Sequence, residues 1–406
     1  MEVVYERCCG LDVHKDKIVA CVMSGRKKEI KTFSTMTQNL LDLVDWIKSE
    51  ECQCVAMEST GVYWKPIYNL LEMESEKTLV VNAQHIKTVP GRKTDVKDAE
   101  WIADLLRHGL LKGSFIQNRE ARELKEMIRY RRSLIEERSR EINRIQKILE
   151  GANIKLSSVV SEVTGVSGKL MLKSIIKGEN DPKQLASLAK GKMKRKTKEL
   201  EQALNGLIGE HQKKILSIQL NHIEQLDETI EQLDAEVKQR MLAFEEDLER
   251  IDTIVGIGRR SAETIIAEIG TDMSIFPTAA HLASWAGLCP GHHESNGKKK
   301  SGKTRKGSKT LRSTLVECAI ASSAAKDNYL KAQFKRICSR RGKNRASIAV
   351  AHSILVIVYN LLKNKTSYQE LGFGHFDSIR KKSIINQSVK RLVALGYKVT
   401  LEEIAV

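Results

Sequence analysis

Several signals that would assign this chain to a class are missing. No apolar run approaches the ~20 residues that a bilayer crossing requires. The opening Met1-Glu2-Val3-Val4-Tyr5-Glu6 lacks the basic-then-apolar order of a secretory leader. The expected setting is therefore the cytosol, with no membrane partner. Aromatic residues make up 5% of the chain, and no segment joins a basic face to an aromatic-rich apolar one, which argues against a membrane-surface helix. The eight cysteines (Cys8, Cys9, Cys21, Cys52, Cys54, Cys289, Cys318, Cys338) form no C-x-x-C pair. A thiolate zinc site is not expected; reduced, mostly buried thiols are.

Acid is the scarcer charge. Lys and Arg number 68 against 51 Asp and Glu, a net +17 with a pI near 9.4. Such an excess favours a polyanion, because each phosphate neutralised releases condensed counterions. At 406 residues the chain is long enough for two or three domains.

Residues 3–34 read as strand, turn, strand, turn, strand, the first ending at Gly10-Leu11-Asp12-Val13. Leu40, Leu41, Leu43, Val44 and Ile47 follow at helical spacing. Next come a strand at 54–58, a helix at about 63–74, a strand at 78–81 and a helix at about 96–107. Three strands followed by alternating helices and strands is the order of a ribonuclease H-like domain. A nucleotide-binding doubly wound sheet would want a Gly-rich turn after the first strand, and Asp12-Val13-His14-Lys15 stands there instead.

The texture changes near residue 119. Leu124, Ile128, Ile135, Ile142, Ile145 and Leu149 fall on alternating spacings, with Arg131 and Arg138 in seam positions. Ile223, Leu226, Ile230, Leu233 and Val237 keep the spacing better, so two long helices paired as a coiled coil are expected, antiparallel within the chain and in contact between chains. Thr253-Ile254-Val255-Gly256-Ile257-Gly258 then ends the coil. A Gly-x-Gly turn between helices fits a helix-hairpin-helix, whose free N–H groups would meet a phosphate. A plain helix-linking turn is the alternative, and the adjacent Arg259 and Arg260 favour the phosphate reading. Residues 287–313 read as a Gly-, Ser- and Lys-rich loop in which only Glu294 offsets Lys298, Lys299, Lys300, Lys303, Arg305 and Lys306. The expected division is an α/β domain at 1–118, a coiled coil at 119–250 with a small tip at about 155–192, a mainly helical domain at 251–370, and an appendage at 371–406.

Four acids stand out. Asp12 closes the first strand, Glu58 closes the fourth, and Asp95 and Asp98 share one face at the start of a helix. Two-metal phosphoryl transfer needs carboxylates that hold hard divalent cations, Mg2+ or Mn2+, on the attacking and leaving oxygens. Each acid alone has a plainer reading, Asp95 as a helix N-cap and Asp12 as a turn residue.

Three segments in this order, Gly10-Leu11-Asp12-Val13-His14-Lys15, Met57-Glu58-Ser59-Thr60-Gly61-Val62-Tyr63-Trp64 and Lys93-Thr94-Asp95-Val96-Lys97-Asp98-Ala99, resemble the N-terminal half of insertion sequence 110 family transposases. Gly287-Leu288-Cys289-Pro290, a downstream serine and Leu311-Arg312 resemble that family's C-terminal transposase domain. The resemblance implies a RuvC-like domain whose metal ligands are Asp12, Glu58, Asp95 and Asp98, and a second domain with a nucleophilic serine. It also implies action on DNA as a dimer or tetramer, guided by a structured RNA. Spacing from Gly287 places the nucleophile at Ser295. Family members often carry Ser-Gly, whereas Asn296 intervenes here, and Ser301-Gly302 fits the dipeptide six residues on. From composition alone the loop reads as a basic DNA contact, and the carboxylates alone read as a junction-cleaving nuclease with no covalent step. Arg129, Arg131, Arg132, Arg138, Arg140 and Arg144 are available in the sequence to hold an RNA or DNA backbone.

Overall fold

The computed structural model describes residues 2–59, 61–74, 77–82, 95–291, 293–295, 298–301, 303–379 and 381–402, with side chains omitted at 95–97, 293–295, 298–301, 382 and 384. It divides into two units, Met1–Arg119 and Glu120–Val406.

The first unit contains β1 (Arg7–Val13), β2 (Lys17–Ser24), β3 (Lys27–Ser34), α1 (Thr37–Ser49), β4 (Cys54–Glu58), α2 (Trp64–Met73), β5 (Thr78–Val81) and α3 (Asp95–Arg107). The strands make one mixed sheet in the order β3-β2-β1-β4-β5, antiparallel through the first three and parallel from β1 outward. Residues of β1 alternate between two apolar faces, as a doubly covered strand must. Cys9, Leu11 and Val13 face α1 and α2, where Leu43, Ile47, Ile67 and Leu71 complete one core. Cys8, on the other face, meets Ala99, Ile102, Ala103 and Leu106 of α3.

The second unit is mainly helical. Its long helices are α4 (Arg119–Gly151) and, after the short α5 (Leu156–Val159), α6 (Val166–Ile176), α7 (Pro182–Ser187) and α8 (Thr197–Ala203), the helix α9 (Glu210–Met241). Cross-helix partners fix the direction of the pair. Arg131 meets Asp234, Arg138 meets Asp227, and Glu141 meets His222. Residue numbers rise on one helix as they fall on the other, so α4 and α9 run antiparallel within the chain. The tip helices pack Leu156, Met171, Leu172, Leu185 and Leu200 against Leu149 and Leu216, closing the end of the pair with a core of their own.

Beyond them lie α10 (Glu245–Asp252), α11 (Arg259–Ile269), α12 (Ala279–Trp285), β6 (His293–Ser295), β7 (Lys298–Ser301), α13 (Lys309–Ala324), α14 (Tyr329–Arg341), α15 (Lys343–Asn364), α16 (His375–Ile379) and α17 (Lys381–Ala394). Helix α15 is the hub of this bundle, packed on α10, α12, α13 and α14. By length and composition it is long and apolar enough to cross a membrane, which the reading of short apolar runs missed because Ser347, His352, Ser353 and Asn360 interrupt it. Its apolar residues Val350, Ile354, Leu355 and Val358 are spent instead on the core of the bundle. The Tyr359 hydroxyl donates to the Phe276 carbonyl at 2.9 Å, tying α15 to the segment before α12.

Candidate metal centre and nucleic-acid interface

Strand alternation and register bring the first acids together. In β1, Asp12 lies on the same face as Cys8 and Gly10, the face covered by α3; in β4, Glu58 shares that face with Cys54 and Ala56. The strands are parallel with Leu11 opposite Met57, so Asp12 and Glu58 follow side by side. Helix α3 runs back along β1. Its C-terminal Arg107 carbonyl accepts from Val4 and Tyr5, whereas its first turns, with Asp98, reach the Asp12 end. Close approach is possible because position 10 is glycine. A Cβ there would lie 2.9 Å from the Ala103 Cα and closer still to the Ala103 nitrogen and the Ala99 carbonyl.

Asp12 is 9% exposed. Burial raises its carboxyl above the usual range, His14 pulls it back, and the negative charges of Asp98 and Glu58 raise it further. His14 Nε2 lies 2.9 Å from Asp12 Oδ2. Asp12 in its desolvated setting feels the charges of the other two carboxylates, and oxygen donors of this kind fit Mg2+ or Mn2+. No group of three or more His, Cys, Asp or Glu closes to a metal-holding arrangement among the described residues. The Asp95 side chain lies outside them; its backbone begins α3, one turn before Asp98.

Within the segment 287–313, expected to be a loop, β6 and β7 pair as a β-hairpin and the last residues begin α13. Ser295 ends β6 opposite Lys298 of β7, and Ser301 pairs with His293 across a bulge. The stem continues through a Pro290–Thr304 bridge and the Gly291 N–H, which donates to the Lys303 carbonyl at 2.8 Å. Two glycines close its foot. A Cβ on Gly287, at φ +71°, would sit 2.8 Å from the Arg305 carbonyl, and one on Gly307 would strike the Ala286 carbonyl. Backbone crossing at this distance excludes any larger side chain at either position. The side chains of Ser295, Ser301, Lys298, Lys299 and Lys300 fall outside the described residues, as do His292, Asn296, Gly297 and Gly302. Lys303, Arg305 and Lys306 are exposed on the segment that follows β7.

Below the foot, Ser308 caps α13, accepting from the Leu311 N–H at 3.2 Å, and its hydroxyl donates to Glu268 at 2.9 Å. Glu268 is 1% exposed and takes a two-pronged bond from Arg129 at 2.6 and 2.9 Å. The hairpin is thus anchored through α11 to α4. Nothing in the sequence pairs these three residues, which lie 40 and 139 positions apart.

The arginines singled out as phosphate contacts are engaged within the fold. Arg259 bonds Glu245 and Glu263, and Arg260 bonds Asp234. Arg131 is buried between Asp234 and Glu263, Arg138 bonds Asp227 and Glu162, Arg132 bonds Thr314 and Glu317, and Arg140 and Arg144 bond carboxylates of their own helix. Gly256, at φ +92°, lies against α13, where a Cβ would meet the Ser322 nitrogen at 2.6 Å, so its freedom serves helix packing. Gly258 opens α11 and faces open space.

Two family models match the chain. Residues 9–154 match a transposase model named DEDD_Tnp_IS110, and residues 248–335 match the transposase model of the IS116/IS110/IS902 family. The chain belongs to the insertion sequence 110 family of transposases. Its similarity to two relatives covers most of its length. It is 26% identical over 373 residues to the transposase for insertion sequence element IS1111A of Coxiella burnetii (strain RSA 493 / Nine Mile phase I), covering 89% of this chain and 90% of that protein. It is 24% identical over 384 residues to the pilin gene-inverting protein of Moraxella bovis, covering 89% and 97%. The first family match spans Asp12, Glu58, Asp95 and Asp98; the second spans the α10–α11 turn and the whole hairpin with Ser295.

Proposed function

We propose that this transposase cuts and rejoins DNA strands of a mobile element, using a divalent-metal site at Asp12, Glu58, Asp95 and Asp98 and Ser295 as nucleophile. One observation carries the metal half: Asp12 is desolvated in a crevice where Asp98 and Glu58 add like charge. The matched model's name also spells the order in which these four acids occur. A bound Mg2+ or Mn2+ would neutralise the phosphate and stabilise the charge that develops on attacking and leaving oxygens. His14, bonded to Asp12, orients that carboxylate. The first unit, with its strand order β3-β2-β1-β4-β5, is read as ribonuclease H-like, and the antiparallel α4–α9 pair as a coiled coil.

The serine half rests on the family match and on the hairpin. Ser295 Oγ would attack the scissile phosphorus, a strand P–O bond would break, and the released hydroxyl would later attack the phosphoserine to rejoin DNA without hydrolysis. Lys303, Arg305 and Lys306 line the segment that follows β7 as phosphate contacts. Guidance by a structured RNA is carried by the family resemblance alone, since the arginines of α4 are paired with carboxylates. Assembly as a dimer or tetramer is supported by Ile215 and Ile218, exposed on α9 at 43% and 59%.

Thermal melting with and without Mn2+ tests the metal half without recourse to activity. A ligand at a hundredfold its Kd adds about 2.7 kcal/mol, so Mn2+ should raise the melting point of the wild type but not of Asp12→Asn or Asp98→Asn. Equal shifts in all three proteins would remove the site.

A further inference from the structure

The second unit holds a cavity of about 770 Å³ between the foot of the hairpin and α15. Leu288, Pro290 and Ile348 give it an apolar surface, and Arg312 and Arg345 give it positive charge; among the described residues no Asp or Glu lines it. That composition departs from the rest of the unit. The arginines of α4 are matched to carboxylates, whereas Arg312 and Arg345 form no ion pair with any described residue. A third wall is amide. Gln333 Nε2 donates to Ser353 Oγ at 2.8 Å, and that hydroxyl donates in turn to the Ala349 carbonyl at 3.3 Å. The chain of donors fixes the orientation of the amide and leaves Gln333 Oε1 buried with no partner among the described residues.

An occupant must therefore carry negative charge and cover an apolar surface. Inorganic phosphate meets the first demand only. An acyl chain meets only the second. The cavity's volume of about 770 Å³ suits a single nucleotide rather than the width of a duplex. A nucleotide drawn out of the stack meets both, with its phosphate and the face of its base.

We propose that this cavity takes one unstacked nucleotide of single-stranded DNA, its phosphate on Arg312 and Arg345 and its base against Leu288, Pro290 and Ile348. The cavity shares its wall with the stem that carries Ser295, through Leu288, Pro290, Lys303 and Thr304. Holding a nucleotide there would keep a strand end from re-annealing while the phosphoserine persists. The inference rests on the strand-transfer reading, but its test is equilibrium binding and needs no turnover.

The probe is a single-stranded oligodeoxynucleotide carrying 2-aminopurine, whose fluorescence rises when the base leaves its stack, titrated into the full-length protein beside a duplex of the same sequence. Wild type should bind the single strand with a rise in fluorescence. Arg312→Met, the surface change Arg345→Met and the cavity-filling Ile348→Trp should each weaken single-strand binding about tenfold and suppress the rise, while duplex binding changes little. Should Ile348→Trp fail to fold by circular dichroism, the Arg345→Met variant carries the test. Single-strand binding within twofold of wild type in the folded variants would overturn the proposal, as would tighter binding of RNA of the same sequence. Ser295→Ala should bind the probe as wild type does. Normal probe binding by a wild-type protein that transfers no strands would sink the recombination reading and leave the cavity assigned.

Discussion

Gly10 and Ala103 are in backbone contact: the strand that carries Asp12 and the helix that carries Asp98 approach so closely that no Cβ fits between them. Gly10→Ala should push α3 off the sheet at the end where the acids meet. Overpacking of this kind costs about 1–3 kcal/mol, and strand cleavage should fall further than the lost stability explains. Melting and cleavage measured on the same preparation check this. Full cleavage by a folded Gly10→Ala protein would show that the acids need not be so spaced.

Arg131 and Arg140 lie on the same helix with opposite weights. Arg131 is 4% exposed at its side chain between Asp234 and Glu263, whereas Arg140 is 53% exposed beside Glu137. Replacing a buried ion-pair member strands its partner, so Arg131→Met should cost about 3 kcal/mol, the low end of the usual range because Arg259 still reaches Glu263. Arg140→Met should leave stability nearly unchanged, since an exposed, solvent-screened pair contributes little. Urea midpoints separate the two, and equal losses would contradict this ranking.

Thiol chemistry should follow burial. Burial pushes the Cys8 thiol up to about 12 and the Cys21 thiol up to about 11. A raised pKa leaves less thiolate at a given pH, so at pH 8 the thiolate fraction is on the order of one in ten thousand for Cys8 and one in a thousand for Cys21. Brief iodoacetamide treatment of the native protein at pH 8, read by peptide mass mapping, should label Cys289 and Cys338, which are partly exposed, before any other cysteine. Early labelling of Cys8 or Cys21 would mean that the α3 face of the sheet opens.

Ser308 should matter to the hairpin more than to the fold. Loss of its hydroxyl removes a helix cap and one bond to Glu268, together about 1–2 kcal/mol. Ser308→Ala should remain folded and lose strand transfer, checked by melting beside a joining assay. Unchanged joining would leave the anchor without a catalytic consequence.

Much of the first unit could be read directly, because alternating apolar residues bounded by Asp16-Lys17 and Ser24-Gly25 determine strands and turns locally. The faces of Asp12 and Glu58 follow from the same alternation once the sheet order is known. The closeness of α3 did not, since Gly10 looks like any strand glycine until Ala103 is placed against it. Arg131 was visible as a charge in an apolar seam, yet Glu263, 132 positions away, was not. Arg259 and Arg260 read in sequence as a basic pair after a glycine. The carboxylates they meet, Glu245 and Asp234 from other helices and Glu263 one turn on, could not be paired with them from the sequence. The hairpin at 293–301 was hidden by its lysines, which have little strand preference, because its pairing is made by backbone and by two glycines at its foot.

The most direct measurement is a search for a covalent protein–DNA adduct that survives denaturation. Wild-type protein with Mg2+ and element-end DNA is expected to leave an adduct that maps to Ser295, absent from Ser295→Ala and from Asp12→Ala. An adduct that maps to Ser301 would move the nucleophile. Cleavage that proceeds in Ser295→Ala with no adduct in the wild type would contradict the account and make the enzyme a hydrolytic nuclease.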